Sequence, residues 1–417
     1  MNFELFIARR IKLGNNNGKS TPSLNIALTG IVLAIVVMIL SLAIVLGFKK
    51  EITNKIYSLD PHIKVVNAVL GLDDKYHTIN GREAFAGIAS DSTFSSMVSS
   101  MSLIADKPAI LKTDNDFKGI QYRGVDKGFD WTYLQSHLTE GRIPTISDTE
   151  NLTEIIISQT TANQLNLKAG DKILTYFIDN KVKVRNSHIV GIYSTDFDSF
   201  DDNFIIGNIA LIQQVNGWTS DIGNYIGINM KDISNLQGNA YQLFGSLAAD
   251  CYNKENTTLF NVTNTHKNNV AFFAWLDMLD MNVIIIIVLM LIVSGFTLVS
   301  ALLMIVLDRI RMIGMLKALG CRNSSIRRIF IYLTQKLIFK SLIIGNIIGL
   351  ALALIQDQFH IIKLDAASYY MPYVPISLDF TLLVGLNIGI IVISYLTLLG
   401  PSYVISTIKP ASTMRFE

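Results

Sequence analysis

Four apolar runs divide the chain, at residues 24–48, 281–307, 332–355 and 380–399. As helices, each matches the roughly 20 residues needed to cross a bilayer core. The first is uncharged, too long for the core of a signal peptide, and followed by no small-residue cleavage site. It therefore reads as an uncleaved anchor. The second meets no glycine or proline before Gly295. This predicts one helix running from the preceding polar region, past the aromatic residues Phe272, Phe273 and Trp275, into the membrane. In the third, Gly345 and Gly349 form a small-residue pair suited to close helix packing. Lys336 and Lys340 lie near its start, where their ammonium groups can reach water. Gly400-Pro401 ends the fourth.

The polar region from Lys49 to about Val270 has mixed periodicity. Alternating or β-rich stretches predict strands at His62–Asn67, Glu154–Ser158, Lys172–Ile178, Lys181–Tyr193 and Phe204–Ile206, and Asp179-Asn180 suits a hairpin turn. Helical spacing appears at Gly81–Ser90, Thr160–Leu165 and Asn235–Ala249. The predicted class is an α+β membrane protein: four transmembrane helices, with a large mixed α/β extracytoplasmic domain between helices 1 and 2. The expected layout is an amphipathic helix and loop at 1–23, a span at 24–48, the domain at 49–270, and a stalk with the second span at 271–307. A cytoplasmic segment at 308–330, a span at 331–356, a short outer loop at 357–379, a span at 380–400 and a cytoplasmic tail at 401–417 complete it.

Charge orients this layout. Arg9, Arg10, Lys12 and Lys19 precede the first span against one acid, Glu4, and Lys409 and Arg415 follow the last. Basic residues collect on the cytoplasmic side, which places both termini there and the large domain outside. Phe3, Phe6, Ile7 and Ile11 share one face of the N-terminal helix, over Met1 to Leu13, which suits either the membrane interface or packing on the bundle. Gly14–Ser20 reads as a loop. Only 16% of residues are charged, against about 25% in soluble domains, and half are hydrophobic. The formal net charge of +2 is dispersed over short segments and indicates no nucleic-acid partner.

Little chemistry is visible. Cys251 and Cys321 fall on opposite sides of the predicted membrane and cannot pair. The six histidines lack ligand spacing. The acidic run Ser194–Asp202 lacks the spacing and central glycine of a calcium loop and reads as a solvated loop. No nucleotide-binding, nucleophile-elbow or zinc-protease motif appears. The spans hold almost no ionisable residue, which argues against an ion-coupled transporter or channel. Any work done must therefore draw on a partner.

The stretch Asp308–Phe330 stands out. It carries six basic residues after Asp308 (Arg309, Arg311, Lys317, Arg322, Arg327, Arg328) and no further acid. Its apolar centre, Ile313, Met315, Leu316 and Leu319, would be exposed in the cytoplasm unless another protein covers it.

R-x-I-G-M-L-K-A-L-G-C followed by S-I-R-R-I-F resembles the segment after the second span of FtsX-like ABC-transporter permeases, the four-span subunits of the macrolide-exporter and lipoprotein-releasing type. Further stretches look like the lipoprotein-releasing branch: L-G-F-K-K-E-I…L-D-P-H-I-K-V at Leu46–Val65, G-V-D at Gly124–Asp126, G-R-I-P at Gly141–Pro144, and Ile155–Tyr193 ending in V-G-I-Y. Y-V-P-I-S-L-D before the last span also fits.

The resemblance implies a homo- or heterodimer of permeases bound to a separate cytoplasmic ABC ATPase, which carries the ATP and magnesium. This chain would bind no cofactor and catalyse nothing itself. A coupling helix from about Met312 to Arg322 would dock on the ATPase through Met312, Ile313, Met315, Leu316, Lys317, Leu319, Gly320 and Arg322. ATP-driven movement would pass along the second span to the outer domain. The complex would draw lipoproteins from the outer leaflet of the bacterial inner membrane, between the first and second spans, and pass them to a periplasmic carrier.

Val32, Val36, Ile39 and Ala43 on the first span, with Ile292, Phe296 and Val299 on the second, are candidates to line that lipid path; the same residues serve equally as packing. Two departures from the family pattern concern Met312, where the family often has Glu, and the interval Phe177–Arg185. The latter is too short for the proline-rich hook by which one branch member holds the carrier. Competing readings are a macrolide- or peptide-export permease with a periplasmic adaptor, and a regulator of cell-wall hydrolases.

Overall fold

The computed structural model describes residues 3–10, 22–68, 78–178, 181–253 and 259–407. In chain order these form α1 (Phe3–Arg10), α2 (Pro22–Leu59), β1 (Ile63–Asn67), β2 (Ile79–Asn80), α3 (Gly81–Ser90), α4 (Ser92–Met97), β3 (Val98–Lys112), β4 (Phe117–Val125), α5 (Thr132–Ser136), β5 (Leu138–Gly141) and β6 (Glu154–Ser158). There follow α6 (Gln159–Leu165), β7 (Lys172–Phe177), β8 (Lys183–Tyr193), α7 (Asp198–Asp201), β9 (Phe204–Asn208), α8 (Ile209–Asn216), β10 (Ile222–Gly223), β11 (Tyr225–Met230), α9 (Leu236–Asn253) and β12 (Phe260–Asn264). Helices complete the chain: α10 (Thr265–Asn268), α11 (Val270–Asp308), α12 (Ile310–Ala318), α13 (Asn323–Phe359), α14 (Ala366–Tyr369), α15 (Phe380–Leu399) and α16 (Val404–Thr407). The predicted Gly14–Ser20 loop, the Asp179-Asn180 turn, and Lys409 and Arg415 lie outside the described residues. The chain forms two compact units: Met1–Lys50 with Trp275–Lys363 and Val374–Glu417, and Glu51–Ala274 with Leu364–Tyr373.

The first unit is a helical bundle, and four of its helices are long and apolar enough to cross a membrane. The first three, α2, α11 and α13, outrun the apolar runs of the sequence. α2 continues to Leu59, where Pro61 disfavours helical geometry at the residue before it. α11 is unbroken over 39 residues, about 58 Å at ~1.5 Å per residue. Gly295 does not interrupt it: a Cβ there would meet Thr397 Cγ2 at 3.3 Å, so the glycine admits a close neighbour.

The core joins Ile35, Met38 and Ile39 of α2 to Leu298 and Leu302 of α11, Phe330 and Leu337 of α13, and Leu398 of α15. Gly345 and Gly349 form the contact surface of α13, where added Cβ atoms would stand 2.8 Å and 3.1 Å from Ile35 and Ile39. Asn346 and Asn387 exchange amide hydrogen bonds of 2.7 and 3.0 Å between α13 and α15. α1 packs along α13 with Ala8 buried in the core.

The second unit is built on ten paired strands. β3, β4, β9, β6, β8 and β7 pair in a closed ring, β7 returning to β3. A closed ring leaves no free edge among its members. Tyr122, Phe177, Ile157 and Ile189 are fully buried, the first two rings meeting edge to face at 5.6 Å. β11, β1 and β12 extend from the first half of β3, covered by α3 and α9 through Ile88, Leu243 and Leu247.

β3 is the hinge of this topology. Its residues up to Ile104 pair with β11 and those from Ala109 with β7, while β4 pairs with it from Ile104 to Lys112. Pro108 falls in the gap on the shared side, where its missing N–H is not required. Arg123 fastens the end of α2 to this sheet. Its guanidinium donates to both Asp106 oxygens at 3.1 and 3.2 Å and to the Leu59 carbonyl at 3.3 Å. It also lies 4.3 Å from the centre of the Phe204 ring.

Candidate functional site: the helix between the second and third spans

α11 ends at Asp308 because Arg309 leaves helical geometry, at φ −120°. α12 follows over Ile310–Ala318 and is stopped by Gly320 at φ +84°, a left-handed conformation that glycine adopts without steric cost. The Gly320 N–H donates to the Lys317 carbonyl and the Cys321 N–H to that of Leu316, closing the helix end. α13 then starts at Asn323. The helix is therefore shorter, and begins earlier, than the Met312–Arg322 expectation, a range that runs on through the turn at Gly320.

The apolar centre divides between two faces. Ile313 and Gly314 are buried in the bundle, and Met312 and Leu316 are half-buried against the same core. Met315 is 55% exposed and Leu319 84% exposed. Arg311 and Met315, one turn apart, form an exposed stripe with Leu319, and Arg322 is exposed just beyond the turn at Gly320. The expectation that Ile313 and Leu316 face outward is corrected: the short turns at either end roll that side onto the bundle. Lys317 Nζ donates to the Ser406 carbonyl at 3.2 Å, and burial lowers its pKa. One side of α12 is thus built into the bundle and the other is uncovered.

The seven candidate lipid-path residues do not form one surface of this chain. Val32, Val36, Ile39 and Ala43 are buried, Ile39 against Gly349. Ile292 and Phe296 are exposed, by 55% and 72%, and Val299 is half-buried. Helical spacing fixes that residues share a face but not which way that face points.

Between α2 and α11 stands a feature that sequence reasoning missed. Lys49 Nζ lies 3.0 Å from Asp277 and 2.8 Å from Asp280, and Phe48 meets Trp275 edge to face at 5.8 Å. The two aspartates are one turn apart on the approach to the second span, so both reach one ammonium group. Two residues earlier on α2, a Cβ on Gly47 would stand 2.5 Å from the carbonyl oxygen of Pro375, in the segment before α15.

In the α/β unit the acidic run Ser194–Asp202 is not a solvated loop. Phe197 and Phe200 are buried, and Phe197 packs on Phe272 and Tyr370 at 5.5 and 5.2 Å between ring centres. Lys55 is buried beneath it and donates to the carbonyls of Thr195 and Tyr370, both at 2.8 Å. Asp201 is buried too, accepting from the Thr195 N–H and hydroxyl at 3.0 and 2.7 Å. Burial raises its carboxyl to about 6, opposed by the Thr195 bonds and aided by Asp196 and Asp198. The signal available in the sequence was the alternation of Phe197 and Phe200 with the acids, which the count of charges obscured.

A family model described as MacB-like periplasmic core domain matches residues 25–238, and one described as FtsX-like permease C-terminal matches residues 284–410. The chain belongs to the FtsX-like permeases with a MacB-like core domain. Among curated relatives, this permease is 21% identical over 410 residues to the lipoprotein-releasing system transmembrane protein LolC of Xylella fastidiosa, covering 94% of this chain and 93% of the relative. It is 20% identical to LolC of Neisseria meningitidis, covering 98% of each, and 19% identical to LolE of Haemophilus influenzae, covering 99% of each. Among solved structures, the periplasmic region of MacB from Actinobacillus actinomycetemcomitans aligns at 13% identity and a TM-score of 0.36, over 54% of this chain and 97% of that one. The four membrane-crossing helices and the α/β domain between the first two thus belong to an ABC permease architecture.

Proposed function

We propose that this permease is the transmembrane subunit of an ATP-driven complex that extracts outer-membrane lipoproteins from the bacterial inner membrane and passes them to a periplasmic carrier. The observation that carries this reading is the end-to-end likeness to relatives named for lipoprotein release, across spans and soluble domain together. The chain acts without catalysing. A separate cytoplasmic ATPase supplies the energy and meets the exposed stripe Arg311, Met315 and Leu319, with Arg322 just beyond it. Met312 is half-buried against the bundle core, so less of it is open to the ATPase than of Met315.

The arrangement of α12 supports such a role. A push on its exposed side is received by a helix whose other side is locked into the bundle through Ile313. α11 leads away from it as one continuous helix. Both termini lie in the cytoplasm in this reading, since the basic segments flank the spans on that side. A second permease subunit, identical or related, completes the complex. The connection between β7 and β8 spans residues 178–182, which supports transfer to the carrier without a long projecting hook.

The test is reconstitution. The permease is co-expressed with a cytoplasmic ABC ATPase, placed in proteoliposomes with a triacylated lipoprotein, and given ATP and a soluble lipoprotein carrier. ATP-dependent release of the lipoprotein to the carrier is expected. Retention of the lipoprotein in the vesicles, with the ATPase bound and active, would remove the proposal.

A further inference from the structure

The sheet of the α/β unit has two ends, β5 and β12. β5 is four residues long with a break in register. β12 is regular and, among the described residues, pairs with β1 alone, in the register Ile63↔Asn264 to Asn67↔Phe260. The Ala68 N–H donates to the Leu259 carbonyl at 2.7 Å and the Thr265 N–H to the His62 carbonyl at 3.0 Å. These bonds fix the phase of the ladder. Residues 259, 261, 263 and 265 turn their backbone groups toward β1, and the residues between them turn theirs away. The amides of Phe260, Val262 and Asn264 and the carbonyls of Phe260 and Val262 therefore point outward. No described residue bonds them. Such an edge is a template for another strand.

This edge has a groove beside it. A cleft of about 210 Å³ is lined by Ala240, Tyr241 and Phe244 of α9, by Asn261 and Val262 of β12, and by Lys267. Tyr241 and Phe244 are 58% and 45% exposed, although α9 buries Leu243 and Leu247 of the same turns in the core. Lys267 Nζ lies 5.2 Å from the Tyr241 ring centre, completing the rim. An open strand edge beside a helix supplies two kinds of recognition. The backbone groups bind any extended chain, and the pocket selects a side chain.

We propose that the groove between α9 and β12 binds an extended polypeptide segment, which adds to β12 as a further strand and seats one apolar side chain against Tyr241 and Phe244. The occupant must be a polypeptide because the outward groups alternate amide and carbonyl at the strand repeat, a pattern that only another peptide backbone matches over several residues. The inference stands apart from the transport reading and does not require it.

The probe is an mRNA-displayed library of random nonapeptides, selected on the full chain in lipid nanodiscs. Enriched peptides are expected to protect the amides of Phe260, Val262 and Asn264 from hydrogen exchange. N-methylation of alternate peptide residues should weaken binding by up to about tenfold for each lost bond, while methylation of the intervening residues leaves it unchanged. Val262→Pro removes one outward N–H and none of the donors to β1, at an edge position where proline is tolerated. It should weaken every enriched peptide similarly, and Phe244→Ala, which leaves the strand intact, should weaken those with an apolar anchor. The proposal fails if no peptide is enriched, if both methylation series act equally, or if protection falls elsewhere in the chain. It fails also if the wild-type edge is already closed by β12 of a second copy, seen as a dimer that Val262→Pro converts to monomer with no peptide bound in either form.

Discussion

Replacing Arg123 by methionine tests how the α/β unit holds the end of α2. The guanidinium is buried and offers its forked donors to Asp106, with the Leu59 carbonyl as a third acceptor. Asp60 lies 3.7 Å away but keeps its own partner, Lys64, at 2.7 Å. Methionine fills much of the volume and preserves contact with Phe204, so packing changes little. What changes is charge: among the described residues, Asp106 is left with the Tyr225 hydroxyl at 3.1 Å as its one remaining side-chain donor. Removing one partner of a buried pair costs about 3–5 kcal/mol, and the partial exposure of Asp106 places this case at about 3. For a unit of this size that is a fall of roughly 6–12 °C in midpoint, at ~2–4 °C per kcal/mol. Thermal unfolding of the full chain in detergent, followed through its β-sheet circular dichroism, measures it. Arg123→Met with Asp106→Asn, which removes the stranded charge, should recover about half of the loss, ~1–2 kcal/mol. A single variant within ~1 kcal/mol of wild type, or a double variant no better than the single, would refute the reasoning.

Three further outcomes follow. Asp201 has a folded pKa near 6 against an ordinary 3.8, so the folded state binds the extra proton between these values. Its stabilising contribution is present below about pH 4 and is lost as pH rises through 6, at most about 3 kcal/mol. Asp201→Asn should therefore raise the unfolding midpoint at pH 7.5 and leave it unchanged near pH 4; an equal shift at both pH values would count against the buried carboxylate. Gly345→Val, which forces a Cβ to 2.8 Å from Ile35, should destabilise the bundle by about 1–3 kcal/mol, whereas Gly385→Ala, with nothing within 4 Å, should be neutral in the same melting assay. Met315→Asp with Leu319→Asp should abolish co-purification of the ATPase without lowering the melting midpoint. Leu316→Asp should lower it, since Leu316 packs on the core.

The legible parts of the sequence were those where one physical signal dominates. Membrane helices announce themselves by length and apolarity, Gly81–Ser90 by helical spacing, and Glu154–Ser158 by an unbroken run of three isoleucines. β3 and β4 carried no such signal. β3 opens on serines and contains Asp106, Lys107 and Pro108, each unfavourable in a central strand. It is stable because Asp106 meets Arg123 and because Pro108 falls in a gap between two pairing partners, facts that only the closed ring supplies. β4 buries four successive residues, Tyr122 to Val125, so Arg123 and Gly124 lie on opposite faces that are both covered and no alternation shows. The acidic run failed for the same reason in reverse: Lys55, some 140 positions earlier, makes burial of Asp201 and the carbonyls of Thr195 and Asp196 possible. At the candidate site the sequence located the segment but not its orientation. Which of Ile313, Met315, Leu316 and Leu319 faces outward depends on the break at Arg309 and the left-handed turn at Gly320. These two backbone events set the roll of the helix, and hydrophobic spacing does not encode them.

Depletion of the permease in its own cells, followed by separation of inner and outer membranes, addresses the central claim most directly. Lipoproteins destined for the outer membrane should accumulate in the inner membrane within a generation or two, while integral outer-membrane barrels continue to arrive. Normal lipoprotein sorting after depletion, with the permease absent from the membrane, would contradict the account.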